Sequence, residues 1–505
     1  MRAPSPYRLN HLILASLLLA ACSAGGRDTA TVRPPATIRL PPAYTATPGA
    51  APRVTRIHEP TSTPLPSPTP QGPLSPGTPL TITEIDMLNA SSGWGFGLAA
   101  GDGASRVLRT SDGGASWRDV TPPKTPPPVE FGQDPIRPAY QPAVGFFADW
   151  HTAWVVYYEY PFGPKNNRVD KNPVVVWHTE DGGESWSPSA PLAIDTKGWV
   201  TDDSVNPDPW ASSFYPTGLQ FLEDGLTGWL LARTNNEQGS LHCADTVLFQ
   251  TTDGGTTWRS ISAPTCGWGD MVWIDANTGW ITNGGARGSL GSAGLRTEDG
   301  GRSWAYVDYL RSRSPGAHPC APAQGGPGVA CGTYDPRRFS SGWIQLLGWI
   351  DGENYLEFDP EADPSKDILA IYSSNDRGLI WRWAPLPSSS EPPSGRDFDV
   401  YSDSIGVDVF FLTERIGWVL DYASGSLYRT LDGGDHWQLV KTVTWNGRLE
   451  FAGEIYGWAV AWGAESSTEE AYPPSPVKRA HEYGLVRTFD GGSGWLLLEP
   501  RIAAP

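Results

Sequence analysis

Thr110-Ser111-Asp112-Gly113-Gly114-Ala115-Ser116-Trp117 is the stretch that decides the fold, because the same eight-residue figure returns six more times. Its aspartates are Asp112, Asp181, Asp253, Asp299, Asp376, Asp432 and Asp490. Each is followed five positions on by a tryptophan: Trp117, Trp186, Trp258, Trp304, Trp381, Trp437 and Trp495. Six copies keep Asp-Gly-Gly, and the fifth degenerates to Asp376-Arg377-Gly378. Glycine supplies positive φ without a Cβ clash, and the carboxylate can accept hydrogen bonds from the turn amides. The Thr or Ser two residues before the Asp can add a local side-chain bond. The Trp then buries a large ring beside the hairpin. This chemistry reverses a chain and catalyses nothing.

A second repeat lies upstream of each turn: Gly93-Trp94, Ala153-Trp154, Gly228-Trp229, Gly279-Trp280, Gly342-Trp343, Gly417-Trp418 and Gly457-Trp458. Alternating strands precede most of them, as in Val407-Asp408-Val409-Phe410-Phe411. Each unit therefore reads as strand A, a short turn, strand B opening on Gly-Trp, strand C, the Asp-Gly-Gly turn, and strand D opening on Trp. Repeated four-stranded units close into a ring. The expected fold is all-β, a seven-bladed β-propeller of four-stranded antiparallel blades over residues 79–500. Strand A of the first blade should begin near Thr81 and strand D of the last should end near Leu498, so that side-chain packing alone closes the ring.

The Asp-Gly-Gly-x-x-Trp turn resembles the Asp-box, or bacterial neuraminidase repeat. With the upstream Gly-Trp strand it is most similar to the propeller family that includes the photosystem II stability and assembly factor. Sialidases, xyloglucanases and sortilin-type receptors share the turn. The resemblance implies the fold and leaves function to the sites grafted onto it. A sialidase would carry an Arg triad and an Arg-Ile-Pro segment. The nearest match, Arg56-Ile57-His58-Glu59-Pro60, falls outside the repeats.

Composition agrees with many short strands. Among 505 residues there are 57 Gly, 49 Pro and 24 Trp, and this punctuation excludes a helical protein. A net charge of −18 argues against a nucleic-acid partner, since such a chain repels phosphate backbones. Arg2 and Arg8, then Leu12 to Leu19, then Leu19-Ala20-Ala21-Cys22 read as an export signal over residues 1–21. Its end resembles a lipobox, which makes Cys22 the expected lipidation site and places the protein on the outer face of a bacterial membrane, held by lipid alone. Residues 22–78 are rich in Pro, Thr and Ser and read as a disordered tether.

Four cysteines remain, an even number that suggests two disulfides in an exported chain. Three pairings are open. Cys243 and Cys266 lie symmetrically about the Gly254–Gly255 bond of the third hairpin, which favours their pairing and leaves Cys320 with Cys331.

In a four-stranded meander the A–B and C–D turns share one face. Length variation falls on the other, in D–A inserts 121–141, 187–216, 306–338 and 384–405 and B–C inserts 157–172, 350–368 and 463–482. Inserts confined to one face of a repeat protein often mark the binding face. Candidate binding residues there are Trp199, Trp210, Trp268 and Trp445, with the acidic runs Asp202, Asp203 and Asp208; Glu353 to Asp367; and Glu465, Glu469 and Glu470. No nucleophile elbow, P-loop or dinucleotide fingerprint occurs, and the eight His lack metal-ligand spacing. No catalytic residue, metal or cofactor is assigned. The expectation is a monomeric, non-enzymatic surface propeller that binds a protein or glycan partner, in the manner of a scaffold or assembly factor. The alternative is a glycoside hydrolase of sialidase or xyloglucanase type.

Overall fold

A computed structural model describes residues 74–99, 104–123, 143–158, 174–195, 213–235, 246–262, 271–281, 295–306, 334–338, 344–350, 368–374, 382–387, 406–463 and 483–504. All of them lie in the unit Ser67–Pro505. Among the described residues there is no helix. The strands form seven sheets with four consecutive antiparallel strands each, an arrangement consistent with a propeller. The sheets occupy residues 80–119, 143–188, 213–262, 271–306, 334–385, 407–442 and 445–498. The first strand, Leu80–Met87, begins one residue before the expected position, and the last of the series, Leu496–Leu498, ends on it.

Strand B is the spine of each unit. Ala153–Tyr157 and Gly417–Asp421 are buried at every position, because neighbouring sheets cover both of their faces. Trp94, Trp154, Trp229, Trp280, Trp418 and Trp458 are all buried at or below 1% exposure. The rings of Trp94, Trp154, Trp229 and Trp418 stack on an aromatic residue at the end of strand A of the next sheet. Trp229 lies on Trp273 at 3.8 Å, Trp418 on Phe451 at 3.7 Å and Trp94 on Phe147 at 5.2 Å. Such pairs add to the burial energy of the rings themselves.

Ring closure differs from the expectation. Arg501–Ile502 forms a further strand that pairs in parallel with Ser116–Asp119, the outer strand of the first sheet. The entering chain pairs with it in turn. Gly77 N donates to Ile502 O at 2.9 Å, Ile502 N to Thr78 O at 2.9 Å, and Leu80 N to Pro500 O at 2.9 Å. Residues 77–80 and 500–503 are thus bound to the first sheet by backbone bonds, and side-chain packing is not the whole junction between the last sheet and the first. Physically, an outer strand leaves one row of amides and carbonyls unpaired, and the last residues of the chain satisfy that row. The consequence is visible in Trp117, which is fully buried, whereas Trp186, Trp258, Trp304, Trp437 and Trp495 at the equivalent positions stay partly exposed.

The glycines of the six described Asp-Gly-Gly turns have φ between 72° and 104°. At Gly301 a Cβ would also stand 2.7 Å from Leu248 Cδ2. Gly301→Ala should therefore cost about 2–3 kcal/mol in urea unfolding, combining left-handed strain with a clash. Gly77→Ala, at φ 80° with nothing within 4 Å, should cost only about 1 kcal/mol.

Candidate functional site

The face that carries the Asp-Gly-Gly turns is built from a bonding pattern that six sheets repeat. Thr110 Oγ1 donates to Asp112 Oδ1 at 3.0 Å and accepts the Gly114 amide at 2.8 Å. Asp112 then accepts from Ser116, through its amide at 2.9 Å and its hydroxyl at 2.6 Å. The same set recurs around Asp181, Asp253 and Asp299, with Ser185, Thr257 and Ser303 as the hydroxyl donors. At Asp432 the imidazole of His436 replaces the hydroxyl at 2.8 Å, and at Asp490 only the Gly494 amide remains, at 2.8 Å. The division of labour is sharper than the sequence implied: the threonine caps the second glycine, and the aspartate holds the far side of the turn. Asp376 and Trp381 lie outside the described residues.

These bonds depress the carboxyl groups. Hydroxyl and amide donation from Ser185 holds Asp181 at about 2, and the His436 amide and ring hold Asp432 at about 2. For Asp112, Asp253 and Asp299 burial opposes the shift, and donors from the Ser or Thr four residues on, together with the Thr two residues before, outweigh it. A depressed folded pKa contributes stability that is present above the unfolded value near 4 and is lost as the pH falls towards the folded one. Unfolding midpoints in urea should therefore fall steeply between about pH 4 and pH 2. The Asp181→Asn variant should show a shallower fall over the same window.

Each turn is also tied to the A–B turn of its own sheet. The first glycine amide donates to the A–B carbonyl in all six: Gly113 to Ser91, Gly182 to His151, Gly254 to Leu226, Gly300 to Asn277, Gly433 to Arg415 and Gly491 to Ile455, at 2.7–3.1 Å. The two turn types therefore share one face, as the meander requires.

Between sheets, the strand-B tryptophan reaches the next Asp-Gly-Gly turn. Trp154 Nε1 donates to Gly254 O at 2.8 Å, Trp229 to Gly300 O at 3.3 Å, and Trp418 to Gly491 O at 3.0 Å. Trp458 donates to Gly113 O at 2.8 Å and so joins the last sheet to the first. A residue missed in the sequence reinforces this clamp. It immediately precedes the turn threonine and is Arg in four sheets. Arg109, Arg296, Arg429 and Arg487 lie over Trp94, Trp280, Trp418 and Trp458 at 5.1–5.4 Å. Arg109 bonds Gly182 O, and Arg487 bonds Ala90 O at 2.7 Å and Asp112 O at 3.2 Å. Its signal was a recurrent Arg at a fixed offset from the Asp, readable once the repeats are aligned.

Most residues of the expected inserts lie outside the described residues. The described strands enter several of their expected bounds: Ser213–Phe221 begins inside 187–216, and Tyr334–Arg338 closes 306–338. Trp199, Trp210 and Trp268, the three acidic runs, Cys22, Cys243, Cys266, Cys320 and Cys331 lie outside the described residues. The symmetry that favoured the Cys243–Cys266 pairing assumed an unbroken register. A bulge between Leu248 and Phe249 shifts the register of that hairpin by one residue. Trp445 is a correction. It opens strand A of the seventh sheet, is 2% exposed and meets Trp495 edge-on at 5.2 Å, so it is core. The turn before it is too short to be an insert, because Thr442 ends one strand and Trp445 begins the next.

Among the described residues the inner strands hold charged groups. Glu84 and Asp86 come from the first sheet, Asp408 from the sixth, and Arg448 and Glu450 from the seventh. Burial pushes Glu84 up to about 7, Arg448 pulls it back, and Asp86 pushes it further. Asp408 Oδ2 accepts the Leu449 amide at 2.7 Å, which ties the sixth sheet to the seventh. No group of three His, Cys, Asp or Glu suited to a metal ion, and no helix long and apolar enough to cross a membrane, occurs among the described residues.

No family model matches the chain, and no curated protein does. Among solved structures it is similar to YCF48 bound to D1 peptide, at 17% identity over 79% of this chain and 96% of that one, with a TM-score of 0.37. It is similar to an α-L-arabinofuranosidase of Fusarium graminearum in complex with an iminosugar inhibitor, at 12% identity over 72% of this chain and 95% of that one, TM-score 0.37. A third is the GH74 enzyme of Niastella koreensis, at 11% identity over 82% and 78%, TM-score 0.25. All three identities are 17% or lower, and the likeness concerns the fold alone.

Proposed function

We propose that the seven sheets are the blades of a single seven-bladed propeller, carried on a lipid-anchored tether at the outer face of a bacterial membrane, and that it binds a protein or glycan partner through the face opposite the Asp-Gly-Gly turns. The observation that supports this reading is how completely the turn face is consumed by internal bonds. In six sheets the turn carboxylates, the threonine hydroxyls and the first-glycine amides all have intramolecular partners. A scaffold closed on one face leaves recognition by convergent polar groups to the other, where the inserts lie.

Three measurements test it. Cys22→Ala should move the protein from the membrane fraction to the soluble one and abolish labelling by a palmitate analogue. The combined Trp199→Ala, Trp210→Ala and Trp268→Ala variant should lose retention on a glycan array or on immobilised envelope proteins, with unfolding unchanged. Equal retention would overturn the loop-face assignment. Turnover of chromogenic glycosides that vanishes on mutating one loop carboxylate would instead establish the hydrolase reading.

A further inference from the structure

The repeats act as controls for one another, and one region departs from the rest. The residue between the turn threonine and the aspartate faces solvent. It is Ser111, Glu180, Thr252 and Glu298 in the first four sheets, but Leu431 in the sixth and Phe489 in the seventh, 55% and 50% exposed. The equivalent A–B position, two before strand B, is Ser91, His151, Asn277 or Arg415 in four sheets, and in the seventh it is Ile455, 48% exposed. Only Leu226, in the third sheet, shares that apolar character. Of the seven large apolar side chains exposed among the described residues, six belong to the adjacent sixth and seventh sheets. Nothing in the turn chemistry asks for them, since the other turns make the same bonds with polar residues there.

On the seventh sheet the apolar residues of the turn face are neighbours. Ile455 O accepts the Gly491 amide, which brings the A–B turn beside Phe489. The Tyr456 ring meets Phe489 edge-on at 6.3 Å. Arg487 lies over Phe489 at 4.4 Å and is itself fixed by two carbonyls of the first sheet, so the ring rests on a rigid base. Arg429 reaches across from the sixth sheet to Glu454 at 2.6 Å and links the turn of Leu431 to that of Ile455. The rim is mainly acidic: Asp435 and Glu454 are exposed, Glu414, Asp432 and Asp490 stand on the same turns, and Arg415 is the exposed arginine among them. Arg429 and Arg487 are both engaged in ring contacts and bonds within the fold.

We infer that this patch is a second docking surface, separate from the insert face, and that it takes a protein partner through a segment of apolar side chains flanked by basic ones. An apolar centre with a charged rim is the anatomy of a protein interface, and the sign of the rim selects the partner. A second copy of this chain would present the same acidic rim to itself.

The test uses the full chain and a fluorescein-labelled synthetic peptide of Leu and Phe flanked by Lys, with a Glu-flanked peptide as control. The variant combines Leu431→Glu, Ile455→Asn and Phe489→Thr, residues that other repeats carry at the same positions. Fluorescence anisotropy should show that the Lys-flanked peptide binds the native protein at least about tenfold more tightly than the variant, and that the Glu-flanked peptide binds neither. Equal binding to native and variant protein, or no binding of the Lys-flanked peptide, overturns the inference. So does a concentration-dependent native dimer, seen by sedimentation, that the variant abolishes, because the occupant is then a second copy. Urea unfolding of the variant should match the native midpoint, which separates lost binding from lost fold.

Discussion

Deleting residues 500–505 should lower the urea midpoint by an amount equivalent to roughly 3–5 kcal/mol, and should expose Trp117 to acrylamide quenching. The deletion removes the bonds that Gly77, Thr78 and Leu80 make to Pro500 and Ile502, and the bond from the Ala503 amide to Trp117 O. Each contributes about 0.5–1.5 kcal/mol net. It also strips the Ile502 side chain, 7% exposed, from a core cluster containing Leu80, Ile82, Trp117, Trp458 and Leu485, worth another 1.5–3 kcal/mol or so. The freed residues regain conformational entropy, which keeps the net below the sum. An unchanged midpoint would mean that side-chain packing between the last and first sheets suffices, as the sequence alone had suggested.

Trp458→Ala is the second large effect, expected at about 3–5 kcal/mol. Trp458 is fully buried at the junction of the last and first sheets. Its loss leaves a cavity among Leu80, Trp117 and Leu485, removes the bond to Gly113 O, and takes away the ring under Arg487. Trp229→Ala makes the comparable lesion inside the chain, between the third and fourth sheets, where the ring stacks on Trp273. The two variants should lose similar stability in equilibrium unfolding. They should differ in limited proteolysis: the Trp458 variant opens between the chain ends, so cleavage should begin near residue 74 or residue 500. Indistinguishable cleavage patterns would argue that the junction is no more exposed to opening than any other.

What was legible in the sequence was what is local. The Asp-Gly-Gly turn makes its own bonds between residues no more than four positions apart, so its chemistry can be read from Thr297-Glu298-Asp299-Gly300-Gly301-Arg302-Ser303 without knowing the fold. Gly-Trp was readable as a core strand for the same reason. The contacts that join sheets were not readable, because their partners are distant. Trp154 and Gly254 are a hundred residues apart, and Arg487 and Ala90 nearly four hundred. Arg501–Ile502 is two residues long, and no periodicity marks so short a strand. Trp445 was misplaced because only two residues connect the sixth sheet to the seventh, where a D–A loop was expected. Of the candidate site, the turn face was legible and the insert face only by elimination. The apolar patch of the sixth and seventh sheets could have been found by aligning the repeats and asking which solvent positions break the polar rule.

The pairing of the two chain ends has a mechanical meaning. Any pull on the segment before Leu74 enters the fold at residues 74–80, where Leu74 packs against the core cluster and Gly77, Thr78 and Leu80 are bonded to Pro500 and Ile502. The load is thus passed to the far end of the chain, which grips the edge of that sheet through Ser116 and Trp117. The two segments form a buckle: tension entering at residues 74–80 would load the bonds to residues 500–502 together with the packing of Leu74, and the strands of the first sheet would stay in place until that fastening gave way.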